Sequence, residues 1–173
     1  MHYFLTGERQ VGKSTIINRI VKETGFSVGG FKTSFGADRF TATEKKLYMY
    51  DAAKELIADE DHIICQMSSQ GISPRPEQFD KLGTEYIRRG LQNNCQLLIM
   101  DECGRLEKDA EIFRTAVIET LDTANTVLGV IQIELPEWTK AIYLRSDVEL
   151  ITVTKTNRDE VAERLIKKVK ELI

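Results

Sequence analysis

The sequence predicts a three-layer α/β fold. It has a mainly parallel central sheet, helices on both faces of that sheet, and a small β-hairpin insertion at about residues 35–60. Three observations carry this expectation. Short apolar runs alternate with longer segments of helical period, the pattern of strands joined by crossover helices. The first run, Tyr3-Phe4-Leu5, meets a glycine-bounded turn, Gly7 to Gly12, that opens onto a helical stripe. A continuous run, Leu97-Leu98-Ile99-Met100, reads as a strand covered on both faces.

The elements follow in order. From Lys13, the apolar positions Ile16, Ile17, Ile20 and Val21 fall on one face of a helix that Gly25 stops. A second strand is expected over Ser27 to Thr33. Phe40-Thr41-Ala42 and Leu47-Tyr48-Met49-Tyr50 flank the polar stretch Thr43 to Lys46 and read as two arms of a hairpin. His62 to Met67 is a further short strand. Pro76 marks a helix start, and Phe79, Leu82, Tyr86, Ile87 and Leu91 share one helical face. After the Leu97–Met100 strand come a helix over Ala110 to Leu121 and a strand over Val127 to Ile131. Pro136 opens a helix through Leu144, and Val148 to Val153 is the last strand. Asn157 and Glu160 form an N-x-x-E capping pattern ahead of Val161, Leu165, Val169 and Leu172. Right-handed crossovers bring the strand ends to one edge of such a sheet.

Composition narrows the function. The chain has 173 residues, enough for one domain with a full core and short of two, so residues 1–173 are expected to form a single unit. Lys and Arg number 24 against 27 Asp and Glu, a net charge of −3, which disfavours nucleic-acid binding through a basic face. No apolar run approaches the ~20 residues that span a bilayer, so no membrane association is expected. Cys65, Cys95 and Cys103 form no C-x-x-C pair, and His2 and His62 are the only histidines, which leaves no zinc cluster of the usual spacing. The chain reads as cytoplasmic, reduced and monomeric.

Gly7-Glu8-Arg9-Gln10-Val11-Gly12-Lys13-Ser14 fits G-x-x-x-x-G-K-[ST] at every fixed position, the pattern of a phosphate-binding P-loop. Gly7 and Gly12 permit torsions that a Cβ hinders, so the N–H groups of Glu8, Arg9, Gln10, Val11 and Gly12 can turn toward phosphate oxygens. The helix that begins at Lys13 aims its unpaired N–H groups and positive dipole end at the same anion. Lys13 is expected on the β- and γ-phosphates and Ser14 on Mg²⁺. Thr15 is placed to contact the α-phosphate.

A P-loop needs, beside its Ser14 hydroxyl, a carboxylate on the metal side. Asp101 leaves the apolar run Leu97–Met100 at its C-terminal end, where ligands bind in open α/β sheets, and is the expected metal ligand beside Ser14. The adjacent Glu102 can orient and deprotonate a water in line with the γ-phosphate, which makes it the candidate general base.

Beyond these motifs the chain resembles the small P-loop nucleoside-triphosphatase family, also called the cancer-related nucleoside-triphosphatase family. The likeness rests on Phe4-Leu5-Thr6-Gly7 through Thr15, and on Gly29-Gly30-Phe31-Lys32-Thr33, which is similar to the family's G-F-x-T segment. Met100-Asp101-Glu102-Cys103-Gly104-Arg105-Leu106-Glu107 is like its D-E-x-G-[KR]-x-E segment, and Thr156-Asn157-Arg158-Asp159 like its N-R-D segment. These cover most of the chain in the expected order; residues 35–71 follow the pattern less closely, and Cys103 stands where Ile or Leu is usual. The resemblance implies a RecA-like P-loop NTPase fold, Mg²⁺-dependent hydrolysis of ATP, GTP and other nucleoside triphosphates, and weak base discrimination. It also gives Asp101 the metal-side role and Glu102 that of catalytic base.

Asn157 reads as the cap of the last helix and, with Arg158, stands where a base lies in this fold. Arg9, Arg39, Arg105 and Arg158 are the arginines near the motifs; each is ordinarily a surface or capping side chain, and without a guanidinium on the γ-phosphate turnover is slow. Gln132, after the Val127–Ile131 strand, is either a γ-phosphate contact or a solvated strand end. Two other functions fit the same motifs: a P-loop nucleoside or small-molecule kinase, and a nucleotide-switched binding module.

Overall fold

The computed structural model describes residues 1–37, 39–133 and 137–172. Eight strands form one sheet: β1 (His2–Thr6), β2 (Val28–Phe35), β3 (Lys45–Asp51), β4 (Ile63–Ser68), β5 (Gly71–Pro74), β6 (Leu97–Cys103), β7 (Val127–Ile131) and β8 (Val148–Thr152). Their order across the sheet is β5-β4-β3-β2-β6-β7-β1-β8. Strands β2, β6, β7, β1 and β8 pair in parallel. Strands β3, β4 and β5 extend that sheet as an antiparallel meander.

The helices are α1 (Lys13–Thr24), α2 (Pro76–Gln78), α3 (Thr84–Gln92), α4 (Glu111–Thr123), α5 (Lys140–Tyr143) and α6 (Arg158–Leu172). Helices α1 and α6 cover one face, where Ile17, Ile20, Leu165 and Val169 pack on Tyr3, Leu5, Leu97, Ile99, Leu128 and Val130. On the other face Phe79, Ile87, Phe113, Val117 and Ile142 pack on Phe4, Phe31, Leu98, Met100 and Val127. Successive side chains of a strand point to opposite faces, so a strand with both faces covered is apolar throughout. This is why Leu97 to Met100 shows no alternation. The chain moves from β1 to β2 over one face and returns from β6 through β7 to β8 over the other, as right-handed crossovers require. The C-terminal ends of β1, β2, β6, β7 and β8 therefore share one edge.

Three expectations are corrected. The hairpin is built by β2 and β3, with Ser34 paired to Tyr48 and Phe35 to Leu47, while residues 40–42 lie in the connecting loop. Phe40 is 83% exposed there, with the Arg39 guanidinium over its ring at 4.5 Å, so this short run lacks the buried face by which a strand packs on the core. The antiparallel addition also runs on to Pro74, because Gly71 to Pro74 pair with Cys65 to Ser68. Ile72, half exposed on that edge strand, gives it no apolar pattern. Third, Asn157 does not cap α6 through its side chain. The Oδ1 atom accepts the Thr154 N–H at 2.8 Å and Nδ2 donates to the Thr152 carbonyl at 3.0 Å, so the carboxamide closes the turn before the helix.

Elsewhere bounds shift slightly. Residues 76–92 form one helical stretch whose middle, Phe79–Gly83, is a π-helical turn. Pro136 lies outside the described residues; after it come a 3₁₀ turn, Glu137–Thr139, and α5. No helix among the described residues is long and apolar enough to cross a membrane.

Candidate active site

The loop between β1 and α1 takes the conformation its glycines predict. Gly7 has φ +137°, and a Cβ there would stand 2.3 Å from the Val153 carbonyl oxygen, so the close approach of the β8 exit to the loop requires glycine. Gly12, at φ +105°, precedes α1, and Gln10 also adopts positive φ. Val11 is buried beneath the loop and anchors it to the α1 face of the core. Glu8, Arg9, Gln10, Ser14 and Thr15 are exposed.

Lys13 folds across the loop. Its ammonium donates to the carbonyls of Gly7 at 2.8 Å and Glu8 at 2.7 Å. Burial holds its pKa below the usual lysine range, and the negative fields of Glu102 and Asp101 oppose that shift. Both carboxylates are thus close enough to Lys13 to act on it. The loop at the start of the sequence and the acid pair beyond its middle share one place.

Asp101 and Glu102 belong to β6 itself, which runs past the apolar stretch to Cys103. Asp101 aligns with Val130 of β7 and Lys32 of β2, and the peptide joining Asp101 to Glu102 is cis. Strand β7 lies between β6 and β1, so the acid pair and the P-loop sit one strand apart. Asp101 is buried, and desolvation raises its pKa to about 6 even though the Ser14 hydroxyl hydrogen-bonds its carboxylate. The Glu102 charge pushes in the same direction, while Lys32 and Lys13 pull the other way.

Ser14 and Asp101 offer two hard oxygen donors close together at the foot of the loop, the donor chemistry that Mg²⁺ takes. Among the described residues no group of three or more His, Cys, Asp or Glu side chains could hold a metal alone. A Mg²⁺ that keeps phosphate oxygens and waters in its shell needs no such cage, so the residues present fit the ion.

Glu102 is half buried, and its Oε1 accepts a hydrogen bond from Gln132 Nε2. Gln132 follows β7 directly and lies between the acid pair and the loop. Arg158 is exposed at the start of α6, with its side chain near Gly12, where a Cβ would lie 3.5 Å from Arg158 Cδ. Asn157 stands beside it, its carboxamide engaged in its own turn. Arg39 stacks on Phe35 and Phe40 in the hairpin loop, and Arg105 follows β6 exposed.

Lys32 is a residue that motif reading passed over. It is the variable position of Gly29-Gly30-Phe31-Lys32-Thr33, and only the parallel register of β2 with β6 brings it beside Asp101. Its ammonium donates to Asn18 Oδ1 of α1 at 2.9 Å. No local sequence signal encodes that pairing; the strand order does.

The sequence model of the NTPase family matches residues 2–166. The chain is 27% identical to nucleoside-triphosphatase THEP1 of Methanosarcina acetivorans over 93% of its own length and 92% of that protein. It is 26% identical to the human cancer-related nucleoside-triphosphatase over 95% and 94% of the two chains. Among solved structures, the THEP1 crystal structure from Aquifex aeolicus superposes with a TM-score of 0.78 at 21% identity, covering 98% of this chain and 99% of that one. A family model that matches nearly the whole chain, with relatives of the same name along nearly its full length, shows where it belongs: the small P-loop nucleoside-triphosphatase family.

Proposed function

We propose that the chain hydrolyses the β–γ bond of nucleoside triphosphates, ATP and GTP among them, in a Mg²⁺-dependent and slow reaction that releases a nucleoside diphosphate and phosphate. The observation that carries this reading is the convergence of Lys13, the Ser14–Asp101 pair and Glu102 at one edge of the sheet. The names of the relatives support the same chemistry.

In this reading the loop amides and Lys13 hold the β- and γ-phosphates and stabilise charge on the transferring group. Ser14 and Asp101 would hold a Mg²⁺, which when bound would supply charge neutralisation on the phosphates. Glu102 accepts a proton from a water whose oxygen attacks the γ-phosphorus, and the β–γ bridging oxygen leaves with the diphosphate. Arg158 and the turn at Asn157 flank the nucleotide beyond Gly12 and read the base weakly. Arg39 is held on aromatic rings and Arg158 lies near Gly12, while the loop residue Arg9 acts on Lys13 only through its charge; turnover without a guanidinium on the γ-phosphate is slow.

Phosphate release measured with ATP, GTP, CTP and UTP, with Mg²⁺ and with chelator, tests the proposal. Magnesium-dependent release of free phosphate is expected with all four. Transfer of the γ-phosphate to an added acceptor, with no free phosphate, would replace it with the kinase reading. Glu102→Gln should keep triphosphate binding and lower single-turnover hydrolysis by about 10²-fold or more; near-normal hydrolysis in that variant would remove Glu102 from the role of base.

A further inference from the structure

Gln132 is held by every polar group it has. Its N–H donates to the Cys103 carbonyl at 2.9 Å, and its carbonyl accepts the Thr139 hydroxyl at 2.9 Å. In the side chain, Oε1 accepts the Arg105 N–H at 3.1 Å and Nε2 donates to Glu102 Oε1. The Arg105 amide can only donate, which fixes the orientation of the carboxamide. Flipped, it would set an NH₂ against an N–H and an oxygen against a carboxylate.

The surrounding loop is shaped to this side chain. A Cβ on Gly104 would stand 2.5 Å from Gln132 Cδ, so that position must be glycine for the carboxamide to lie where it does. Gly104 is pinned on both sides: its N–H donates to Glu107 Oε2 at 2.8 Å, and its carbonyl accepts Trp138 Nε1 at 2.9 Å. A solvated strand end needs none of this. The arrangement occupies Oε1 of Glu102, while Oε2 receives no hydrogen bond from the described residues.

We propose that Gln132 is a positioning residue: its carboxamide fixes the Glu102 carboxylate so that Oε2 faces the attacking water. The inference rests on the reading of Glu102 as general base. A group oriented by a neighbour loses most of its effect when it is free to rotate, and loss of such supporting contacts costs about 10- to 100-fold in activity.

The test compares Gln132→Ala and the isosteric Gln132→Glu with wild type, in steady-state and single-turnover hydrolysis and in calorimetric binding of a non-hydrolysable triphosphate with Mg²⁺. Both variants should lose about 10- to 100-fold in kcat with triphosphate affinity within about twofold of wild type. Gln132→Glu, which sets a second carboxylate against Glu102, should lose at least as much as Gln132→Ala. Emission from Trp138, the single tryptophan, reports whether the Gly104 loop keeps its shape. In single turnover, Gln132→Ala added to Glu102→Gln should cost no more than Glu102→Gln alone, because the two act as one unit.

Additive losses would overturn the inference, since Gln132 would then act independently of Glu102. A selective loss of triphosphate over diphosphate affinity with kcat retained would also overturn it, placing Gln132 on the nucleotide itself. Full activity in Gln132→Ala would do the same while leaving Glu102 as base. Full activity in Glu102→Gln is the distinct result that removes the base, and Gln132's role with it.

Discussion

In the proposed function Lys13 is the residue that holds the phosphates, and its surroundings say what removing it should do. The ammonium spends two of its three N–H groups on loop carbonyls and sits in the field of two carboxylates. Lys13→Ala should therefore weaken binding of a non-hydrolysable triphosphate at least tenfold, measured by calorimetry, and shift the midpoint of unfolding little, since the lost contacts lie at the exposed loop. Glu107 behaves in the opposite sense, through stability and not through the nucleotide. Its carboxyl is fully buried against the Gly104 N–H, and burial raises its pKa to about 8. The folded chain thus holds a proton that the unfolded chain releases near the ordinary glutamate value. Between those two values the unfolded state binds fewer protons, so this group lowers stability as pH rises. Glu107→Gln keeps an acceptor for Gly104 and removes the titration. Its unfolding midpoint should exceed that of wild type by several degrees at pH 8 and hardly at all at pH 5, a difference on the order of a few kcal/mol. A uniform gain or loss across that range would show that Glu107 does not titrate in this way.

At the scale of elements, some of the fold is local and some depends on pairing. The residues of β1, α1 and β7 carry their own signals: an apolar run, a glycine turn, a helical stripe stopped by Gly25. The edge strand β5 does not, because half-exposed Ile72 and its neighbours bury nothing that a period could reveal. Strand β6 runs three residues past the last apolar side chain because Asp101 and Cys103 still find partners on β7, and hydropathy cannot see a hydrogen-bond ladder. The site divides in the same way. Lys13, Ser14, Asp101 and Glu102 were legible because their motifs are contiguous, whereas Lys32 and the Gln132–Glu102 contact depend on strand order and are written nowhere locally. The start of α4 is another long-range arrangement. Ala110 offers that helix no side-chain cap, and Asp80 Oδ1, in the π-helical turn before α3, accepts the Phe113 N–H at 2.8 Å instead. Asp80→Ala should cost about 1 kcal/mol in denaturant unfolding, as loss of a cap does, and leave triphosphate affinity unchanged. A loss near zero would mean that solvent replaces the carboxylate there.

For the whole molecule, the proposed function and folding stability pull against each other at one carboxylate. Asp101 is buried at the edge where β1, β6, β7 and β8 end together, and its pKa of about 6 means that its ionised form is poorly solvated at neutral pH. Because the unfolded chain ionises it near the ordinary aspartate value, stability declines as pH rises between the two, by about 2 to 3 kcal/mol in all. A cation bound beside Ser14 reverses that cost, since it pairs with the charge that burial penalises. Binding to the folded state alone raises the unfolding midpoint with ligand concentration. A non-hydrolysable triphosphate with Mg²⁺ should thus raise the midpoint at pH 8 by several degrees more than the same nucleotide with chelator. Asp101→Asn separates the two effects. Without ligand it should be no less stable than wild type at pH 8, because the charge that burial penalises is gone. With ligand it should lose most of the magnesium-dependent increment while keeping the part that the loop amides and Lys13 supply. An unchanged magnesium increment in this variant would place the ion away from Asp101, and with it the chemistry argued for this edge of the sheet.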